Sequence, residues 1–168
     1  MSAAPPEDNV VRVALKRANL WELVQGDPLL AENPFLRALG PVAEKVMRKG
    51  VALRYPPQSV LFQQGDASTS LYFVIHGEVR LSARPGKDVV ELGNVTRGEV
   101  CGEAEILSGA PLRASSAIAH SDAAVGELPR ETLMQDGKLL KCVADFLAPI
   151  QTARSVALSE MTDFLNRW

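Results

Sequence analysis

Turn signals containing glycine or proline divide the central part of the sequence into short β-prone runs, and they recur about every 8 to 12 residues after Val51. Pairs such as Gly65-Asp66 and Gly93-Asn94 mark these turns. With further short pieces near Val51 and Val100, the runs make about eight strands, which predicts a small antiparallel jelly roll. The other predicted strands are residues 60–63, 71–75, 78–83, 88–92, 115–119 and 123–128.

Helical periodicity precedes this region. Apolar side chains of residues 10–24 form one stripe that ends before Gly26, which predicts an N-terminal helix. Residues 35–49 have the same spacing, and Gly40-Pro41 is expected to divide them into two short helices.

Helical periodicity returns after Pro129. Pro149 is expected either to kink the chain or to lie in the first turn of a last helix. That last helix has a narrow apolar seam, which either packs on the jelly roll or pairs with a second chain in a homodimer. The predicted helices cover residues 130–135, 139–147 and 150–167, and the seam consists of Ile150, Ala153, Ala157, Met161, Phe164 and Trp168.

The predicted fold class is therefore α+β, with the jelly roll flanked by helices at both ends. The 168 residues form one ordinary domain with an appended arm. We divide the chain into an N-terminal arm and helix (1–32), a β-roll (33–130) and C-terminal helices (131–168).

Charge and composition exclude several classes of function. The chain has 18 Lys and Arg against 20 Asp and Glu, a net charge of −2, so it lacks the basic surface expected of a nucleic-acid-binding domain, and we expect no DNA binding. Cys101, Cys142, His76 and His120 are too few and too scattered for a disulfide framework or a metal site. The sequence contains neither a bilayer-spanning apolar run nor a leader pattern, so we expect a cytoplasmic protein without a membrane partner.

The segment 98–116, GEVCGEAEILSGAPLRASS, contains the most informative chemistry. Gly102 permits a tight turn, and the residues after it can form one helical turn whose free N–H groups face an anion. Arg113 offers a fork of donors suited to phosphate oxygens, while Glu103 can accept hydrogen bonds from sugar hydroxyls. Together these residues predict a nucleotide site.

This segment resembles the phosphate-binding cassette of the cyclic-nucleotide-binding domain found in catabolite activators, protein-kinase regulatory subunits and gated channels. Gly102-Glu103 is similar to the family's Gly-Glu, Gly109 to its turn, and residues 113–116 to its arginine and following small residues. Residues 61–66 and 71–79 look like its early strands and glycine turns. The resemblance implies ligand contacts from Gly102, Glu103, Ala104, Arg113, Ala114 and Ser115, and a lid on the last helix that includes Arg154 and Ser159.

The same resemblance bears on the ligand and the origin. The ten-residue step from Glu103 to Arg113 is similar to that of bacterial activators. In the family a hydroxyl residue after the arginine tends to favour guanine, so Ala114 favours cAMP over cGMP. A cyclic dinucleotide is a further alternative. We expect no cofactor other than this ligand.

Glu105 departs from the family pattern, in which this position is usually small. A carboxylate about 6 Å from a bound phosphate would cost roughly 1 to 3 kcal/mol at an effective dielectric near 20. The alternative interpretation is that Glu105 only interacts with the dipole of its own helical turn.

No nucleophile–base arrangement or acid pair predicts an enzyme, and the sequence ends at Trp168 without room for the winged helix-turn-helix of the activators. We therefore expect a regulatory module that binds a cyclic nucleotide and signals to a protein partner through its C-terminal helices. The alternative is a degenerate cassette on a protein-interaction adaptor that binds no nucleotide, and Glu105 favours that reading.

Overall fold

The computed structural model describes residues 13–14 and 20–167. The strands are β1 (Val13–Ala14), β2 (Val51–Tyr55), β3 (Val60–Phe62), β4 (Ser70–His76), β5 (Val79–Ala83), β6 (Val90–Val95), β7 (Val100–Cys101), β8 (Ser116–Ala119) and β9 (Ala123–Pro129). The helices are α1 (Leu20–Gln25), α2 (Pro28–Ala31), α3 (Pro34–Leu39), α4 (Ala43–Arg48), α5 (Ala104–Ser108), α6 (Arg130–Met134) and α7 (Gly137–Asn166).

The strands form two antiparallel sheets, with the orders β1-β2-β9-β4-β7 and β3-β8-β5-β6. The predicted jelly roll of about eight strands, β2 to β9, is confirmed, with helices on both sides of it in the sequence. Two short helices on either side of Gly40-Pro41 were also predicted correctly, since a 3-10 turn over Gly40–Val42 separates α3 from α4.

Strand β4 lies between two layers of the core. Tyr72 and Val74 pack between the two sheets, whereas Leu71 and Phe73 pack against the helices. Because successive strand residues point to opposite faces, a strand covered on both sides is a continuous apolar run, as residues 71–75 are. The helix-side layer joins α1, α3, α6 and α7, so the N-terminal helices and the C-terminal helix belong to one core.

The predicted N-terminal helix over residues 10–24 is wrong in part. Helix α1 covers only Leu20–Gln25, and Val13–Ala14 is instead a strand paired with Arg54 and Leu53 of β2. Pairing with the free edge of β2 satisfies backbone groups that a helix would satisfy internally, so the edge competes with the local helical pattern. The remainder of residues 10–19 lies outside the described residues, as does Trp168.

The prediction of a turn at Gly93-Asn94 is wrong, because β6 continues through both residues to Val95. The register between β5 and β6 shifts at this point, and Gly93 has a φ of 124°. The glycine therefore marks a bulge within the strand, where a positive φ is required, and not the end of the strand.

The two predicted helices over 139–147 and 150–167 are one helix, α7, with Pro149 in its interior. Proline removes the helical hydrogen bond to the carbonyl four residues earlier, here that of Asp145. Both residues lie on the exposed side of α7, where water can satisfy that carbonyl. Val143 and Leu147, fully buried against the other helices, hold the first half of α7 in place.

Candidate functional site

Segment 98–116 contains β7 and then a compact loop with α5 at its centre, and it ends where β8 begins. Gly102 has a φ of 85°, and a Cβ atom added there would lie 2.7 Å from Nη1 of Arg113. Glycine is therefore needed at this position both for its backbone conformation and for the close approach of the arginine. At the other end of α5, Gly109 caps the helix with a φ of 76° and donates its N–H to the carbonyl of Glu105 at 2.8 Å.

Arg113 lies beneath this loop and is 3% exposed. Its Nη1 donates to the carbonyl of Gly102 at 3.2 Å and to Oε1 of Glu105 at 3.1 Å. Its Nη2 donates to the carbonyl of Ser70 at 2.7 Å, with Oγ of Ser70 3.5 Å away. Only its Nε–H lacks a hydrogen-bond partner within the described part of the chain. The fork that the sequence assigned to phosphate is thus already bound to groups of the protein.

Aromatic side chains enclose the same guanidinium group. The Cζ atom of Arg113 lies 4.1 Å from the ring centre of Phe62 and 5.7 Å from that of Tyr72. A cation over an aromatic face is stabilised by the ring quadrupole. Burial raises the pKa of the Tyr72 hydroxyl, which donates to Oε2 of Glu127 at 2.9 Å, so this side chain stays neutral.

Glu105 is 2% exposed and points inward from the first turn of α5. Besides the contact of its Oε1 with Arg113, its Oε2 accepts the backbone N–H of Ala114 at 3.2 Å. The carboxylate therefore occupies two donors that an anionic ligand of this loop would use. Glu105 does lie in the first turn of α5, as the alternative interpretation predicts, but its carboxylate also forms a buried ion pair with Arg113.

Glu103 is 3% exposed and is bound from the opposite side, by α7. Arg154 forms an ion pair with its Oε1 through Nη1, and donates through Nη2 to the carbonyl of Val100 at 3.0 Å. Burial raises the pKa of the Glu103 carboxyl above its usual range, and the Arg154 charge opposes that rise. Burial also raises the pKa of the neighbouring Cys101 thiol to about 12.

A cavity of about 60 Å³ remains between this loop and α7, and we call it the cassette cavity. Ligand pockets for small molecules are usually about 300 to 1,000 Å³, so this cavity must widen before it can hold a nucleotide. Its walls consist of Leu81, Leu92, Gly102, Glu103, Ala104, Glu105, Ala114, Ser115, Gln151, Arg154, Ser155 and Leu158.

The sequence-predicted site residues fall into three groups. Gly102, Glu103, Ala104, Ala114 and Ser115 line the cavity together, as the cassette pattern predicts. Arg113 lies behind this wall, covered by Gly102 and Glu105.

On α7, Arg154 lines the cavity, but Ser155 does so in place of the predicted Ser159. The sequence analysis also missed the apolar walls formed by Leu81, Leu92 and Leu158. Alternation along β5 and β6 is the signal that could have identified the first two of these.

Two classes of feature are absent from the described ranges. Residues 13–14 and 20–167 contain no group of three or more His, Cys, Asp or Glu side chains arranged to hold a metal ion. Within the same ranges, no helix is long and apolar enough to cross a membrane.

Comparison with known families and structures agrees with this geometry. The family model of the cyclic nucleotide-binding domain matches residues 52–135, which is 84 of the 168 residues. No curated protein sequence matches the chain.

Several solved structures share the fold. The regulatory subunit of a cAMP-independent protein kinase A from Trypanosoma brucei is 19% identical, with a TM-score of 0.67 over 77% of this chain and 46% of that one. A related subunit from Trypanosoma cruzi, bound to guanosine, is 20% identical, with a TM-score of 0.63 over 71% of this chain and 43% of that one. The catabolite activator protein of Thermus thermophilus is 29% identical, with a TM-score of 0.62 over 79% of this chain and 63% of that one.

The chain thus spans less than half the length of the two regulatory subunits.

Proposed function

The chain belongs to the cyclic nucleotide-binding domain family, a family of regulatory binding domains, and from this premise we propose that it is a switch in which a pocket ligand displaces α7. The observation that supports the proposal is the ion pair between Glu103 and Arg154. By resemblance to the family, the glutamate after the cassette glycine accepts hydrogen bonds from the sugar hydroxyls of the ligand. In this chain, that same carboxylate is bound by a residue of α7, so the ligand and the helix compete for it.

The proposed mechanism follows from this competition. A ligand that reaches Glu103 replaces Arg154 with its ribose hydroxyls, and the space it needs forces α7 away from the cassette cavity. By linkage, anything that holds α7 away also strengthens ligand binding by the same factor. A typical coupling of 1 to 3 kcal/mol corresponds to a change of about 5- to 150-fold in partner affinity.

The released helix is the proposed output. Val156, Met161 and Phe164 on α7 are exposed apolar side chains, and they can contact a protein partner. The partner is either another protein or a second copy of this chain paired through the seam from Ile150 onward.

The proposed ligand is a ribose-bearing purine compound. Among cyclic nucleotides, Ala114 favours cAMP over cGMP by resemblance to the family. Of the structural neighbours, the Trypanosoma brucei subunit is cAMP-independent and the Trypanosoma cruzi subunit is bound to guanosine, so nucleosides belong among the ligands to test.

Removal of the Arg154 guanidinium group tests the switch. In Arg154→Ala, the competitor for Glu103 is gone, so we expect about tenfold tighter ligand binding and faster hydrogen exchange in residues 150–166 without ligand. Calorimetry with cAMP, cGMP, adenosine and guanosine measures the first, and exchange followed by mass spectrometry measures the second.

Lys141→Ala is the matched control, because it removes an exposed α7 cation whose ion pair with Asp145 is remote from the cavity. We expect this variant to bind and exchange like the parent chain. The switch proposal is refuted if Arg154→Ala and Lys141→Ala behave alike, or if a saturating ligand leaves the exchange of α7 in the parent unchanged.

The second candidate function is the adaptor that binds no nucleotide. The buried pair of Glu105 and Arg113 favours it, since this pair consumes the donors of a phosphate site. An adaptor would give no heat with any of the four compounds in the parent chain while the parent remains folded, whether or not Glu105→Ala binds them.

A further inference from the structure

Glu105 occupies the cassette as a built-in anion, and we infer that the cassette cavity selects a nucleoside without phosphate over the matching cyclic nucleotide. This inference rests on the proposed function, since it assumes that the cavity takes a ligand. The inference concerns the chemical class of that ligand. It follows from the hydrogen-bond donors of the site that are already bound within the protein.

The terminal donors of Arg113 that a phosphate would use are already bound within the protein. Its Nη1 binds Gly102 and Glu105, and its Nη2 binds Ser70. The backbone N–H of Ala114 is bound by Glu105 as well. Only the Nε–H of Arg113 lacks a partner within the described part of the chain, and it is buried, so a phosphate would have to expel Glu105 to reach the guanidinium group.

Expulsion of Glu105 is opposed by its surroundings. The residue is 2% exposed, and each of its two carboxylate oxygens accepts a hydrogen bond. Its partner Arg113 is anchored on Ser70 and stacked on Phe62, so the arginine cannot follow the carboxylate or turn outward to meet a ligand. Moving Glu105 alone would leave a buried guanidinium without its counter-ion, which proteins tolerate poorly.

The charge of the opened cavity also disfavours an anion. The ionisable residues on its wall are Glu103, Glu105 and Arg154. Once Arg154 leaves with α7, the Glu103 carboxylate remains on the cassette side without a counter-ion, whereas Glu105 keeps its pair with Arg113. Like charges at this range repel, so a cyclic phosphodiester enters a field of its own sign.

The same two carboxylates suit a nucleoside. A nucleoside ribose has hydroxyl groups at its 2′, 3′ and 5′ positions, each of which can donate a hydrogen bond. In a 3′,5′-cyclic nucleotide the phosphate ties up two of these oxygens and leaves one donor. Glu103 and Glu105 are pure acceptors when ionised, so they match the donor-rich sugar. Leu81 of β5 and Leu92 of β6, which stay in place when α7 moves, supply apolar walls for the base.

Calorimetry on the full chain tests the inference, with adenosine compared against cAMP and guanosine against cGMP. In the parent we expect at least about tenfold tighter binding of the nucleoside than of its cyclic nucleotide. In Glu105→Ala the freed donors are available to phosphate, so we expect the preference to reverse. The ratio of the dissociation constant of the cyclic nucleotide to that of its nucleoside should then change by about 100-fold or more. Glu105→Gln keeps the shape and removes the charge, and we expect an intermediate ratio.

Glu131→Gln is the control, since it removes one exposed negative charge outside the cavity and should keep the parent's ratio. If Glu105→Ala does not fold, Glu105→Gln and the parent's own ratio decide the question. A parent that prefers the cyclic nucleotide, or a ratio that is the same in the parent and the folded Glu105 variants, overturns the inference and leaves the switch intact.

Failure of the proposed function would look different. If nucleosides bind as expected but hydrogen exchange of α7 does not respond, the switch fails and the nucleoside inference stands. If no compound binds to the parent or to either Glu105 variant, both fail and the adaptor remains. If only cyclic nucleotides bind, and only to Glu105→Ala, the inference is overturned and the parent acts as an adaptor.

Discussion

Two glycines of the cassette provide a matched test of how closely its loop approaches Arg113. Gly102 and Gly109 have similar positive φ angles, 85° and 76°. An added Cβ at Gly102 would lie 2.7 Å from Nη1 of Arg113 and 3.3 Å from the carbonyl oxygen of Ser70, whereas at Gly109 it would meet nothing within 4 Å. Substitution by alanine therefore imposes the same kind of backbone strain at both sites but a steric clash at only one.

The expected magnitudes follow from this difference. Alanine in the left-handed region costs about 1 to 2 kcal/mol, and this is the full expected loss in the free energy of unfolding of Gly109→Ala. In Gly102→Ala the arginine must also move, which stretches the contacts of Nη1 with the Gly102 carbonyl and with Glu105. Losing one hydrogen bond to a charged group costs about 1.5 to 3 kcal/mol, so the total loss is about 2.5 to 5 kcal/mol.

Urea unfolding followed by circular dichroism measures both variants against the parent. The effect of alanine on the unfolded chain is the same in the two variants and cancels in their difference. We expect Gly102→Ala to be less stable than Gly109→Ala by about 2 kcal/mol, with equal denaturant slopes. Equal stabilities within about 0.5 kcal/mol would refute the reasoning, because the guanidinium could then not lie against the Gly102 backbone.

Three further predictions concern the core under α7 and the two thiols. Leu147→Ala empties a fully buried site beneath α7, so we expect a loss of about 2 to 5 kcal/mol in unfolding free energy by urea titration. For the thiols, a disulfide reagent at pH 8 should modify one group per native chain, the exposed Cys142, and two groups after unfolding, because Cys101 is buried. Since burial raises the pKa of Cys101 from 9.0 to about 12, the unfolded chain loses this proton first, and this thiol lowers the free energy of unfolding by up to about 1.4 kcal/mol per pH unit between pH 9 and 12. Cys101→Ala should remove this contribution, and an unchanged slope in that variant would contradict it.

The part of the site that the sequence could predict depends on backbone requirements. The sequence predicts a positive φ at Gly102, before the helical turn, and at Gly109, after it. Both glycines have a positive φ in the structure. Most of the turn signals located the ends of strands for the same reason, whereas Gly93-Asn94 lies within β6 and marks a bulge. Such signals are local, because they depend on the conformation of one or two residues and not on what packs against them.

The direction of the Glu105 side chain is a tertiary property, and the sequence left it open. A residue in the first turn of a short helix can face solvent or the interior, and either orientation is compatible with the pattern. What decides it is the position of Arg113, eight residues later in the sequence, and the N–H of Ala114. The continuity of α7 through Pro149 is also a tertiary property. Leu147 packs into a core whose other residues are distant in sequence, and this packing holds the helix in place.

The two ion pairs of the site are difficult to explain as devices for stability alone. A buried pair recovers little more than the desolvation it costs, and apolar side chains of similar volume often serve as well. An ion pair between two elements that can move apart is different, because it stabilises only the arrangement in which the two elements are in contact. Arg154 and Glu103 connect α7 to the cassette, so each 1.4 kcal/mol that this pair contributes favours the closed arrangement tenfold. Glu105 and Arg113 are both held within the roll and keep their contact wherever α7 lies. On the proposed function, the first pair therefore sets how readily the cavity opens, and the second sets which ligand it accepts.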